Sequence, residues 1–145
     1  MREELEQKLV AKFPELFKDK DKPVTESLMA FGCECSDGWF DILYGLCGVI
    51  SRHIKNGHWK HEEPYRFFQI KEKYAGLRVY DNGHDEYIAG AIAMAETLSY
   101  RTCELCGAPG RVCSAGIWLR TLCPAHAEEH NYKVPQTENE DNDGG

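Results

Sequence analysis

Two stretches decide the C-terminal part of this fold: Thr102-Cys103-Glu104-Leu105-Cys106-Gly107 and, beyond a spacer, Cys123-Pro124-Ala125-His126. Together they read C-x2-C-x16-C-x2-H, close to the paired spacing of zinc-binding modules. Two residues between the members of each pair let both side chains reach one ion. Gly107 relieves crowding where the backbone turns around it. Three thiolates and an imidazole fill a tetrahedral shell and leave no position for water, so the spacing predicts one structural zinc ion rather than a catalytic one. The spacer fits the same design. Arg111-Val112-Cys113 and Ile117-Trp118-Leu119-Arg120-Thr121 predict a short hairpin across Ser114-Ala115-Gly116. Pro124 suits the first position of a helix, with Cys123 at its cap, where the helix N-terminus favours a thiolate. Knuckle, hairpin and helix-borne ligands in that order are the layout of a treble-clef finger. His130, one helical turn beyond His126, and Cys113, within the first spacer strand, are the competing ligands.

Moving outward from the finger, residues 85–100 carry Ile88, Ala91, Ile92, Ala95 and Leu98 at helical spacing. Residues 65–80 predict a β-hairpin with its turn around Tyr74-Ala75-Gly76. Residues 39–56 give a helix with Phe40, Leu43, Leu46, Cys47, Ile50 and Ile54 on one face, Asp37 as its N-cap and Asn56-Gly57 as its end. Residues 2–18 give an amphipathic helix that Pro14 interrupts. The expected class is α+β, with helices packed on a small antiparallel sheet and a C-terminal treble-clef-like zinc finger. The expected division is a body over 1–101, a finger over 102–132, and a disordered acidic tail over 133–145.

The composition bounds the function. The chain has 145 residues and a formal net charge of −7, and the four acids Glu138, Glu140, Asp141 and Asp143 lie in the tail. The remainder stays slightly acidic, which removes the general attraction that drives nonspecific DNA binding and favours a basic partner surface. The N-terminus lacks the apolar stretch of a signal peptide, and no apolar run is long enough for a bilayer span. Seven cysteines, four potential ligands of the chain being grouped at metal spacing, suit a reducing cytoplasm rather than a disulfide framework.

Three further groups stand out. If Phe68, Ile70, Leu77 and Val79 of the hairpin face the core, then Tyr65, Phe67, Gln69, Lys71, Arg78 and Tyr80 face outward. Interleaved aromatics and bases make that a protein- or nucleobase-binding face, unless another element such as the N-terminal helix covers it. Arg52, His53, His58 and His61 form a basic stretch that reads as an anion site or as a solvated helix end. Cys33-Glu34-Cys35 offers a pair for a second metal site, although one residue between ligands is less usual than two. There is no phosphate-binding glycine loop and no local nucleophile–base pair.

Asp37-Gly38-Trp39-Phe40, the run Gln69 to Tyr80, Ala95-Glu96-Thr97-Leu98-Ser99, Thr102 to Gly110, Trp118 and Thr121-Leu122-Cys123 occur in this order in a group that the sequence resembles. That group is the short zinc-finger proteins of tailed phages and prophages. The resemblance covers roughly residues 37–127, with Ala75 where the group's pattern has glycine. It implies a viral protein in the cytoplasm of an infected bacterium and supplies no mechanism. The resulting expectation is a small, non-enzymatic, zinc-stabilised binding protein that docks on a host protein and modulates or inhibits it, host defence included. A nucleic-acid-associated regulator is the first alternative. A nucleotide-binding protein or enzyme, with Arg66 joining the histidines as a contact, is the second.

Overall fold

The structure is a computed structural model and describes residues 1–135, so the expected acidic tail lies outside the described residues from position 136 onward. Helix α1 spans Glu3–Lys12, with Glu3, Glu4 and Glu6 in its first turn and Lys12 in its last, the polarity that opposes the helix dipole. It stops at Phe13 because Pro14 cannot continue it, and a 3-10 turn over Pro14–Leu16 follows. Strand β1 is short, Cys33–Glu34. A 3-10 turn over Asp37–Trp39 leads into α2, Phe40–Lys55. The hairpin is β2, Phe67–Lys73, and β3, Gly76–Asp81. Helix α3, Glu86–Ser99, follows and packs on β3 and α2. Asp85 caps it, its Oδ1 accepting from the Ile88 N–H at 2.9 Å. The finger contains β4, Arg111–Ala115, β5, Trp118–Leu122, and α4, Pro124–Glu129.

The class is α+β, as the periodicities indicate. The main sheet has the order β1-β2-β3 and is mixed, because β1 runs parallel to β2 with Cys33 opposite Ile70. No local pattern signals a two-residue strand, and only the return of the chain alongside β2 creates it. Strands β4 and β5 form a separate antiparallel ribbon. The core between α1, α2, α3 and the sheet contains Leu9, Leu16, Trp39, Leu43, Ile50, Phe67, Ile70, Leu77 and Ile88, each fully buried.

Two expectations need correction. Asp37 does not cap α2. Its carboxylate accepts from the backbone N–H of Arg2 at 2.7 Å and pairs with the Arg2 guanidinium, and these contacts hold its pKa below the usual value. The outward face of the hairpin is also wrong at its first strand. Tyr65 and Phe67 are buried at 2% and 0% exposure, while Phe68 is 39% exposed. The register slips between Phe67 and Gln69, and this bulge turns Phe67 and Ile70 to the same side. Phe67 then packs edge-on against Phe17 at 5.3 Å between centroids. Gln69, Lys71 and Arg78 are half-buried and Tyr80 is exposed, so four of the six residues retain access to solvent.

The β2–β3 turn consists of Tyr74 and Ala75, both at positive φ (50° and 69°). Gly76 serves packing instead. A Cβ there would lie 2.3 Å from the Tyr100 ring.

Candidate metal centre

The finger presents its donors from two pieces of backbone. Cys103 and Cys106 lie on the knuckle, where Gly107 adopts φ +79°. Cys123 and His126 lie at the start of α4, whose first position is Pro124. Their donor atoms all lie within 4.8 Å of one another. Cys106 Sγ and Cys123 Sγ are 3.8 Å apart, and Cys103 Sγ is 3.5 Å from His126 Nδ1. Cys123 Sγ is 3.2 Å from the same nitrogen. With metal–sulfur bonds of about 2.3 Å and a metal–nitrogen bond of about 2.0 Å, a tetrahedral shell has edges of roughly 3.5–3.8 Å. The donor set and two of these three edges therefore fit one zinc ion, and the third is slightly short. His126 offers Nδ1, and its Nε2 faces the Glu129 carboxylate at 3.9 Å, the place of an outer partner that orients an imidazole ligand.

The knuckle prepares the thiolates. Burial raises the Cys103 pKa, but hydrogen bonding from the backbone at Cys123, Cys106 and Leu105, and then from His126, outweighs it and brings the thiol down to about 7. Cys106 moves the other way. Backbone hydrogen bonding at Ala108 is outweighed by burial and by its neighbours Cys103 and Cys123. Sulfurs this close repel as anions, which is the strain that a cation relieves.

The competing ligands stay outside. Cys113 is fully buried and its Sγ turns to the Arg111 carbonyl at 3.2 Å. The His130 ring is 6.3 Å from that of His126. Among the described residues, Cys103, Cys106, Cys123 and His126 are the only such cluster of three or more, so Cys33 and Cys35 are not drawn into a second one. Both are buried thiols packed in the main core, and burial raises the pKa of each. Of the proposed anion-binding group, His53 stacks on His58 at 5.1 Å, while its Nε2 lies 2.6 Å from Asp85 Oδ2. That puts a carboxylate against the central histidine. His61 packs on Trp59 instead, and Arg52 is exposed. Arg66 is paired with Asp19 at 3.0 Å and with Glu63 at 3.4 Å.

What spacing did not reveal is how the finger is bolted to the body. Glu104, between the two knuckle cysteines, is 5% exposed. Its Oε1 accepts from the Ser36 hydroxyl at 2.9 Å and the Ser36 N–H at 3.3 Å. Its Oε2 has no hydrogen bond, and the Arg120 Nε at 3.6 Å supplies charge alone. Gly38 N–H donates to the Glu104 carbonyl at 2.7 Å. A Cβ on Gly38 would lie 2.1 Å from the Cys103 carbonyl oxygen and 2.6 Å from the Gly107 nitrogen. Trp39 Nε1 donates to the Thr102 carbonyl at 2.9 Å, and Thr121 Oγ1 donates to the Ala75 carbonyl at 2.7 Å. A carboxylate inside a C-x2-C knuckle was the available signal, since a metal site gains nothing from extra negative charge.

The described residues include no helix long and apolar enough to cross a membrane. No family model, curated protein or solved structure matches this chain.

Proposed function

We propose that this chain is a zinc-stabilised docking protein that acts by binding another protein, with a treble-clef-like finger as its contact module. One observation carries the reading. The turn of the β4–β5 hairpin presents Ile117 at 89% exposure and Trp118 at 69%, followed by Leu119 at 41%. Large apolar side chains held out on a rigid ribbon are typical anchors of protein interfaces, where aromatic residues dominate affinity. The four-ligand cluster fastens both ends of this ribbon, since Cys123 directly follows β5 and the knuckle precedes β4. The closed donor set gives the metal a structural role, so the chemistry of the site is rigidity rather than turnover.

The resemblance to short phage zinc-finger proteins makes a host bacterial protein the proposed partner. The acidic balance of the chain favours a basic surface around the pocket that takes Trp118. A base stacked on Trp118 is the competing use of the same tip, and salt separates the two. Phosphate-driven binding weakens steeply between low and moderate salt, whereas an apolar anchor does not. Capture from bacterial lysate with wild-type protein and with Ile117→Ser/Trp118→Ser tests the proposal. The expected result is a stoichiometric protein partner held by the wild type and lost by the variant, with equal zinc in both. Partners retained equally by both would sink the role of the tip.

A further inference from the structure

Helix α3 is an odd surface helix. Its exposed residues are Glu86, Tyr87, Gly90, Ala93, Met94, Thr97 and Leu98, and Glu86, at the first position, is the only charged one. A helix with water on one side normally carries charge there, and one that is uncharged on every face is normally covered. The second acid of the helix, Glu96, is half-buried and accepts from the Val79 N–H at 3.2 Å. Beside α3 lies α2, antiparallel to it: His53 at the end of α2 meets Asp85 at the start of α3, and Asp41 and Leu98 line the opposite end of the pair. Between them runs an apolar groove of about 300 Å³, floored by Leu46 and Ala95 and walled by Ile42, Val49, Met94 and Leu98.

The exposed residues of α2 are Asp41 near one end, Arg52 and Lys55 near the other, and Tyr44 and Gly45 between, with Lys55 already facing Glu15 of its own chain at 3.7 Å. The midpoint between Asp41 and Arg52, which falls between positions 46 and 47, is also the midpoint between Gly45 and Gly48 and lies one residue from the centre of α2. A twofold axis at that midpoint sets Asp41 of each copy against Arg52 of the other, and glycine against glycine. The glycines need such an explanation. A Cβ at Gly45 or Gly90 would meet nothing within 4 Å, and one at Gly48 only the Phe13 ring at 3.9 Å. Nothing within the chain requires their absent side chains, and glycine inside a helix is destabilising relative to alanine. Close approach of a second helix pair gives the missing side chains a use.

We propose that the α2–α3 face is covered by the same face of a second copy of this chain, in an antiparallel twofold dimer with Asp41–Arg52 ion pairs at both ends and Met94 and Leu98 in the groove. The self-complementary placement of Asp41 and Arg52, the two exposed charges of α2 without an ion-pair partner of their own chain among the described residues, selects a second copy over a foreign helix. Sedimentation equilibrium of the zinc-loaded full chain is the test. The wild type is expected at twice the 16.5 kDa chain mass. Met94 is 62% exposed, so Met94→Glu leaves the fold intact and is expected to weaken the dimer by at least about 30-fold, as a charge buried at an apolar contact does. Asp41→Arg and Arg52→Asp each weaken it by about tenfold, and Asp41→Arg/Arg52→Asp restores it to within about threefold. A monomeric wild type at tens of micromolar overturns the proposal. So does a dimer indifferent to Met94→Glu, or a double reversal no better than the single ones. Unchanged zinc content and circular dichroism show that each variant is folded.

Discussion

The body and the finger are held together by opposite means. The body buries a continuous apolar core from Leu9 to Ala95, and nothing in it needs an ion. The finger buries Cys103, Cys113, Leu122, Cys123 and Ala127, three of which are sulfur donors or a small residue, and leaves Ile117 and Trp118 in water. So small a core cannot offset the entropy of ordering its residues. A donor cluster whose spacing is consistent with one zinc ion, and a docking surface, are what the region has besides that core. The docking surface is polar and tightly fitted, built from Ser36, Gly38, Trp39 and Ala75 of the body against Thr102, Glu104 and Thr121 of the finger. One chain thus contains a region whose stability is diffuse and one whose stability is concentrated in a few atoms.

Removing the metal breaks that comparison most directly. Metal analysis is expected to find about one zinc per chain, a structural ion of this kind contributing on the order of 10 kcal/mol. Chelation, or Cys106→Ser, is expected to erase hydrogen-exchange protection across Arg111–Leu122 while Phe67–Asp81 stays protected. Cys113→Ser is expected to keep the metal. Equal loss of protection in both regions would show that the body, too, depends on the ion.

The joint between the regions comes next. Gly38→Ala forces a methyl against backbone atoms of the knuckle, which cannot rotate away. The expected loss is about 3 kcal/mol, read from denaturant midpoints, with weakened zinc retention. Glu104→Ala removes the acceptor for Ser36 and leaves Arg120 unpaired. It is expected to cost about 2 kcal/mol. Should either variant leave stability unchanged, the regions are merely adjacent.

Acid acts on both regions, because the finger's thiolate and imidazole ligands protonate and release a metal, but Asp19 reports on the body. Burial raises the Asp19 pKa, but Lys22 and Arg66 outweigh it and hold the carboxyl below its ordinary 3.8. A depressed carboxyl contributes stability that is complete above its unfolded value and lost as the pH falls through the folded one. Asp19→Asn is therefore expected to flatten the pH dependence of body unfolding below about pH 4 while leaving zinc content unchanged at neutral pH. An unaltered slope would place the acid sensitivity elsewhere.

The smallest effect concerns Ala75, which is held at φ 69° and is fully buried. Glycine there removes the backbone strain but also a buried methyl group. The net change in thermal unfolding is expected to stay within about 1 kcal/mol, whereas a β-branched Val is expected to cost more than that.

Some of this was legible in the residues before any fold was built. The spacing C-x2-C-x16-C-x2-H marked out Cys103, Cys106, Cys123 and His126, because chelation is a local geometric demand that two short pairs satisfy by themselves. Helices α1, α2 and α3 followed from apolar periodicity and from Pro14, which act within a few turns. The outer face of β2 was misread because one bulge residue inverts the alternation on which a period-two reading depends, and nothing at Phe67 or Phe68 announces it. The α2 cap was misread because Arg2, 35 residues away, claims the Asp37 carboxylate. Strand β1, the seat of Glu104 and the approach of Gly38 to the knuckle are all long-range. They depend on which surfaces meet, and that is settled by packing the whole chain, not by any stretch of it. The sequence by itself determined which four side chains are grouped as metal donors and which segments coil. The tertiary structure alone decided that the knuckle is a joint, that half of the expected β2 face is core, and that the apolar side of α3 is left uncovered.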